Sequence, residues 1–249
     1  MLREREKEFA LARHIQLSLL PSSAPDVPGY AFGGAARFAQ ETGGDYYDYF
    51  PVADNSIGLA IGDASGHGIG AAIIVAETRS ALRTLCMTHR SPAEILSLLN
   101  RRLIDDLPDG QFVTFFFGRL DPTDRTLTYA SAGHCTGYVL RPDGSVRLEL
   151  PSTGLPLGLV RGVKIPNAPP VNLREGESIL LFTDGVTEAM SGQGELFRIA
   201  RMLNVVQEHR HETPAEVCRS IIAAVEIHCK PGLPHDDAAA LILEVAAAR

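Results

Sequence analysis

The chain has 249 residues, enough for one large domain or two small ones, and 45% of them are hydrophobic, so a sizeable core can form. Thirty acidic against 23 basic side chains leave a formal charge of −7, which repels phosphate backbones and argues against nucleic-acid binding. A phosphorylated protein is not excluded, because bound cations can invert a local field.

Residues 1 to about 20 read as a helix, charged and free of Gly and Pro until Pro21. Leu2, Phe9, Ala12, Ile15 and Leu19 form one apolar stripe, suited either to packing on the helix's own domain or to a dimerising, signal-transmitting coiled coil. The opening MLREREKEFALARH is charged throughout, unlike a secretory signal. The longest apolar runs, Ile69–Ala76 and Ile179–Phe182, are too short to span a bilayer. Cys86, Cys135, Cys218 and Cys229 form no CxxC pair, so neither a zinc ribbon nor a redox motif is indicated. A reducing, cytoplasmic setting without membrane attachment is the expectation.

After the proline-rich loop PSSAPDVPG the period changes. Tyr30–Phe38, Asp45–Val52 and Ser56–Gly62 have strand character, and Gly68–His89 has helical spacing. Ser91-Pro92-Ala93-Glu94 starts another helix, with Ser at the cap and Pro at the first position. Phe112–Leu120, Thr126–Ala132, Thr136–Arg141 and Ser145–Leu150 are strands separated by tight turns, as in antiparallel hairpins. Residues 151–170 read as a long loop, functional or mobile. A strand at Ser178–Thr183, helices near Glu195–His209 and Pro214–Cys229, and a strand at Ala238–Val245 complete the chain. Strand and helix groups are segregated, which predicts an α+β fold with antiparallel sheets.

Four acidic sites share one local design. Asp45 follows Gly43-Gly44 and opens a strand; Asp63 ends an apolar run and enters the turn Ala64-Ser65-Gly66-His67-Gly68. Asp184 ends Ile179–Thr183 before Gly185, and Asp236-Asp237 leads into the last strand. Each taken alone reads equally as a turn residue accepting backbone hydrogen bonds. Gathered together, such carboxylates raise one another's pKa, and hard divalent cations such as Mg²⁺ or Mn²⁺ relieve the conflict.

The ordered set GGDYYDYF, GDASGHGIGAA, FVTFFFGRLD, YASAGH, GLPLGL, LLFTDGVTEA and HDDAAALIL resembles the SpoIIE/RsbU-type bacterial phosphatases of the metal-dependent, type 2C-like superfamily. The likeness runs from Ile15-Gln16 to the last strand. It implies an antiparallel β-sandwich with helices on both faces (four layers, αββα), preceded by a linker helix at 1–22 and with the phosphatase domain at 23–249. It implies two divalent cations, Mn²⁺ or Mg²⁺, with catalytic Asp63 bridging both. Asp45 and the Ala64 carbonyl complete the first site, and Asp184 and Asp236 the second. Asp237 either joins the ligands or orients a neighbour.

The activity implied is hydrolysis of phosphoserine or phosphothreonine on a regulatory protein, typically a STAS-type anti-sigma-factor antagonist. An upstream sensor or activator acting through the first helix, and a homodimer, are further implications. His67 and His134 are either hydrogen-bonded turn residues or, for His67, a substrate contact or general acid. Arg37 is the candidate phosphate clamp. The chain departs from the pattern at Ala239, where Thr is usual, at Phe197-Arg198 in place of Phe-Gly, and at Cys135 in place of Pro. Competing readings are a catalytically silent binding module of the same fold and a metal-dependent nuclease, the latter disfavoured by the acidic balance.

Overall fold

The computed structural model describes residues 2–246. The expected N-terminal helix is present as α1 (Leu2–Leu19); Met1 and the side chain of Leu2, first of the expected stripe, lie outside the described residues. Then follow β1 (Tyr30–Arg37), β2 (Asp45–Pro51), β3 (Ile57–Ala64), α2 (Gly68–Leu85), α3 (Pro92–Asp106), β4 (Val113–Asp121), β5 (Thr126–Ala132), β6 (Gly137–Leu140) and β7 (Val146–Leu150). The chain continues through β8 (Val171–Asn172), β9 (Ser178–Phe182), α4 (Asp184–Thr187), α5 (Arg198–Glu208), α6 (Pro214–Cys229) and β10 (Ala238–Val245).

Two five-stranded antiparallel sheets result, one ordered β1-β10-β9-β6-β7 and the other β2-β3-β4-β5-β8. Burial on both faces explains the near-continuous apolar character of the central strands. In β10, Ala239, Leu241, Leu243 and Val245 enter the core between the sheets, while Ala238, Ala240 and Ile242 enter a second core beneath α5 and α6. In β3, Ile57, Leu59 and Ile61 face the other sheet, and Ala60 and Ala64 face α2 and α3. This period-two partition builds the expected αββα layers. No helix among the described residues is long and apolar enough to cross a membrane.

The helix starts follow cap chemistry. The Ser91 side chain accepts the Glu94 amide, and Thr213 forms a capping box with Glu216, each ahead of a proline. Three elements differ from the sequence reading. The short α4 follows directly on β9. Residues 190–196 form a small hairpin closed by a Met190–Leu196 bridge, which delays α5 to Arg198. The two-residue strand β8 was not expected; the segment 151–170 before it is a loop, as expected, and is tied to the body where Leu157 pairs with Val113 and Ala168 donates its amide to Tyr129. Buried Asn100 of α3 donates to the Val160 carbonyl (3.0 Å) and accepts the Gly158 amide (2.8 Å). These contacts satisfy backbone groups that no sheet ladder serves.

Candidate metal centre

Register brings the first two carboxylates together. Asp45 opens β2 directly opposite Asp63 on β3, and opposite residues of an antiparallel pair share a face. That face is the one between the sheets, because Ile57, Leu59 and Ile61 precede Asp63 on the same side of β3. In the other sheet, β9 runs antiparallel to β10, so Asp184 leaving β9 and Asp236-Asp237 entering β10 lie at one end.

A hydroxyl ties the two sheets there. Thr183 donates to Asp45 Oδ2 (2.6 Å) and accepts the Ala239 amide (2.9 Å). Ala239 therefore contributes through its backbone, at the position where Thr was the usual residue. Asp237 accepts two backbone amides, Ala39 on Oδ1 (2.7 Å) and Gly44 on Oδ2 (2.6 Å). This is the geometry of the orienting alternative, since both oxygens hold the crossover from β1 to β2. Space is tight on both sides of it: a Cβ at Gly43 would lie 2.1 Å from Asp237 Oδ2, and one at Gly185 1.8 Å from the Asp237 carbonyl. Only glycine fits at either position. The Ala64 carbonyl also faces Gly44, where a Cβ would lie 2.3 Å away.

The electrostatics are those of a crowded acidic centre. Burial is the chief cause that pushes Asp45 well above the usual carboxylate range, followed by the charge of Asp63; the Thr183 hydrogen bond opposes the rise. Burial and then the charges of Asp184, Asp236 and Asp237 raise Asp63 from 3.8 to about 7. Asp184 rises through burial and the charges of Asp236 and Glu188, and Asp237 through burial, with its two amide donors resisting. No Lys or Arg is among the groups acting on Asp45, Asp63 or Asp184. Hard oxygen donors without cationic neighbours fit Mg²⁺ or Mn²⁺. Among the described residues no group of three or more His, Cys, Asp or Glu side chains is placed to hold a metal ion as it stands.

Neighbouring residues take structural parts. His134 is buried between the sheets. Its Nε2 must donate to the Phe182 carbonyl (3.0 Å), which leaves Nδ1 to accept from Thr114 (2.9 Å). Burial lowers its pKa to about 4, so the ring is a neutral strut. The Cys135 thiol reaches the same carbonyl (2.7 Å). His67 is exposed and meets the Gln40 amide at 3.2 Å. Arg37 pairs through its Nε with Glu226 of α6 at 2.9 Å on the outer side of the sheet, and its charge also opposes the rise that burial gives the Asp237 pKa.

Three residues make contacts that the sequence did not reveal. Buried Gln16 of α1 donates to the Gly43 carbonyl (2.6 Å) and accepts the Gly43 amide (3.1 Å), gripping the segment that presents Asp45. Arg13 adds bonds to the carbonyls of Gln40 and Glu41. The signal was available: a glutamine beside the apolar stripe Ala12, Ile15 and Leu19 of an otherwise charged helix. Asp48 is fully buried on the opposite face of β2, held by Arg83 through two 2.9 Å bonds and by Tyr46 at 2.5 Å. Groups that orient a metal ligand commonly affect ion affinity ten- to a hundredfold. Gln16→Ala is therefore expected to weaken Mn²⁺ binding by about tenfold or more, while melting within a few degrees of wild type. Titration calorimetry giving an unchanged affinity would remove Gln16 from this role.

The family model described as Stage II sporulation protein E (SpoIIE) matches residues 53–246. The chain belongs to the SpoIIE family. As a SpoIIE-family chain it is 29% identical over 240 residues to the phosphoserine phosphatase RsbU of Bacillus subtilis, covering 96% of this chain and 70% of RsbU. It superimposes on the SiaA-PP2C domain of Pseudomonas aeruginosa with a TM-score of 0.81 at 23% identity, covering 98% of each. The RsbU and RsbW domains of Rv1364c from Mycobacterium tuberculosis give a TM-score of 0.77 at 27% identity, over 90% of this chain and 62% of that one. RsbX, a more distant match in fold (TM-score 0.66, 14% identity, 90% of this chain and 99% of that one), has been solved in complex with magnesium. The SpoIIE-family relationship makes this a protein phosphatase domain.

Proposed function

We propose that the chain is a metal-dependent serine/threonine phosphatase that removes phosphate from phosphoserine or phosphothreonine on a regulatory protein. The observation that carries this reading is the convergence of Asp45, Asp63, Asp184 and Asp236 at one end of the sandwich, where their charges destabilise one another. Two divalent cations, Mn²⁺ or Mg²⁺, supply an activated water at neutral pH and neutralise charge on the phosphoryl oxygens when bound. Asp63 would serve both cations, Asp45 and the Ala64 carbonyl would help hold the first, and Asp184 and Asp236 the second. Thr183 fixes Asp45, Asp237 fixes the Gly43-Gly44 segment, and Gln16 holds that segment from the other side. Neutral His134 keeps the sheets in register without adding positive charge.

A catalytically silent module of the same fold has no physical use for a buried set of mutually repelling carboxylates, so the enzyme is the better reading. The test is hydrolysis of p-nitrophenyl phosphate with and without Mn²⁺. Turnover that ignores both Mn²⁺ and a chelator would exclude the metal mechanism.

The substrate in this reading is a STAS-type antagonist of an anti-sigma factor, in the cytoplasm; the pairing of RsbU and RsbW domains in the mycobacterial relative supports a partner-switching setting. Residues 1–22 form the regulatory segment and 23–249 the phosphatase domain. Phe9, Leu11 and Ile15 of α1 are exposed, which suits a homodimer or an upstream activator. Light scattering is expected to give a dimer mass for the chain and a monomer mass for a version starting at Pro21. Equal monomer masses would rule out dimerisation through α1.

A further inference from the structure

The segments that leave Asp184 and enter Asp236 build a surface ridge that the metal centre does not use. The 190–196 hairpin lies against the end of α6: His228 Nε2 bonds the Glu195 carbonyl at 2.8 Å, and the His228 ring meets Phe197 edge-on at 5.4 Å. A Cβ at Gly192 would lie 3.2 Å from Pro231 Cδ. This joined surface exposes Met190, Leu196, Ile227 (65%) and Leu233 (73%), the last only three residues before Asp236. Large apolar side chains clustered in this way mark an interaction surface more often than chance exposure does.

The exposed charges of these two segments are mixed: Glu188 and Glu195 are acidic, Glu195 pairing with Arg201, while Arg198 and Lys230 are basic. Arg198 and Lys230 are exposed on the ridge with no ionic partner among the described residues, in a protein of net charge −7. Arg198 also holds a left-handed backbone conformation, φ 66°, which glycine adopts freely and a long side chain does not. The chain keeps an unpaired arginine where its backbone favours glycine, so the side chain rather than the turn accounts for the residue.

The geometry points to this ridge as the docking surface for the phosphoprotein substrate, selecting acidic side chains and an apolar contact beside the phosphorylated residue. The inference rests on the phosphatase reading above. It is favoured over a second copy of this chain because the ridge adjoins both carboxylates assigned to one cation, and because the unpaired Arg198 and Lys230 complement acidic side chains of a phosphoprotein. A small phosphate ester never reaches the ridge.

The experiment compares two substrates in Mn²⁺: p-nitrophenyl phosphate and phosphorylated casein, an acidic phosphoprotein. Arg198→Gly relieves the backbone and is expected to be no less stable than wild type. Leu196→Ser with Ile227→Ser changes only exposed groups. Each variant is expected to lower kcat/KM for phosphocasein by about tenfold or more, mainly through KM, and to change p-nitrophenyl phosphate turnover less than twofold. Unchanged phosphocasein turnover, or equal losses on both substrates, overturns the proposal. A wild-type dimer that these variants dissociate would assign the ridge to a second copy and also overturn it. If wild type hydrolyses neither substrate, the phosphatase reading fails separately; phosphocasein binding by titration then decides, and equal affinity for wild type and Arg198→Gly overturns the ridge.

Discussion

Asp63→Asn is expected to reduce Mn²⁺-dependent hydrolysis of p-nitrophenyl phosphate by about a thousandfold or more, equivalent to about 4 kcal/mol of lost transition-state stabilisation. The size follows from position. Asp63 faces Asp45 across β2 and β3 and feels the charges of Asp184, Asp236 and Asp237, so it is the acidic side chain common to both halves of the centre. Asparagine keeps the shape and one oxygen but removes the charge that, in the proposed centre, would hold the two cations. The same change has an opposite effect on metal-free stability. Deleting one charge from a buried, repelling group removes a cost, so the chelator-treated variant is expected to melt at or above the wild-type temperature. Lost activity together with undiminished stability separates a ligand from a packing residue. A variant that retained wild-type turnover, or lost turnover only by unfolding, would contradict the assignment.

The second large effect is a dependence of stability on pH that Mn²⁺ reverses. Asp63 titrates at about 7 in the folded chain, against about 3.9 when unfolded. Between those values the native state binds more protons than the unfolded chain, so metal-free stability falls as pH rises and the whole cost is present above pH 7. A shift of about three units corresponds to about 4 kcal/mol at most, shared with the neighbouring carboxylates. Urea unfolding of chelator-treated protein is expected to give a lower stability at pH 8 than at pH 5. Mn²⁺ at a hundred times its Kd should add about 2.7 kcal/mol at pH 8, with less effect at pH 5 where protons compete. Asp63→Asn should flatten the slope. A metal-free stability that is constant from pH 5 to pH 8 would mean that the carboxylates do not repel as placed here.

Most of the secondary structure was legible because its causes are local. The strands of β3, β4, β5 and β10 carry period-two or continuous apolar runs bounded by turn residues. The starts of α3 and α6 carry Ser91-Pro92 and Thr213-Pro214, so both were recognisable from the chain alone. The loop at 151–170 was legible as a loop, but what holds it was not. Asn100 of α3 holds it from 58 and 60 residues away, and no local pattern records those bonds. The start of α5 was misplaced for a similar reason, because Met190 and Leu196 pair across a hairpin that rests on α6.

The carboxylates divide the same way. Their strand-end positions beside glycine could be read from sequence, and so could the need for cations if they meet. That Asp237 accepts the amides of Ala39 and Gly44 could not, since those groups lie some two hundred residues earlier. Arg37 could be offered as a phosphate clamp until strand alternation turned it toward Glu226. Taken alone, the sequence determined the elements, their buried faces and the chemical type of the centre, because hydrophobic period, caps and donor chemistry act over a few residues. Only the tertiary structure decided which carboxylates act on one another, that Thr183 braces Asp45, and that Gln16 of α1 grips Gly43. Those outcomes depend on register and sheet stacking, which bring together residues with no proximity along the chain.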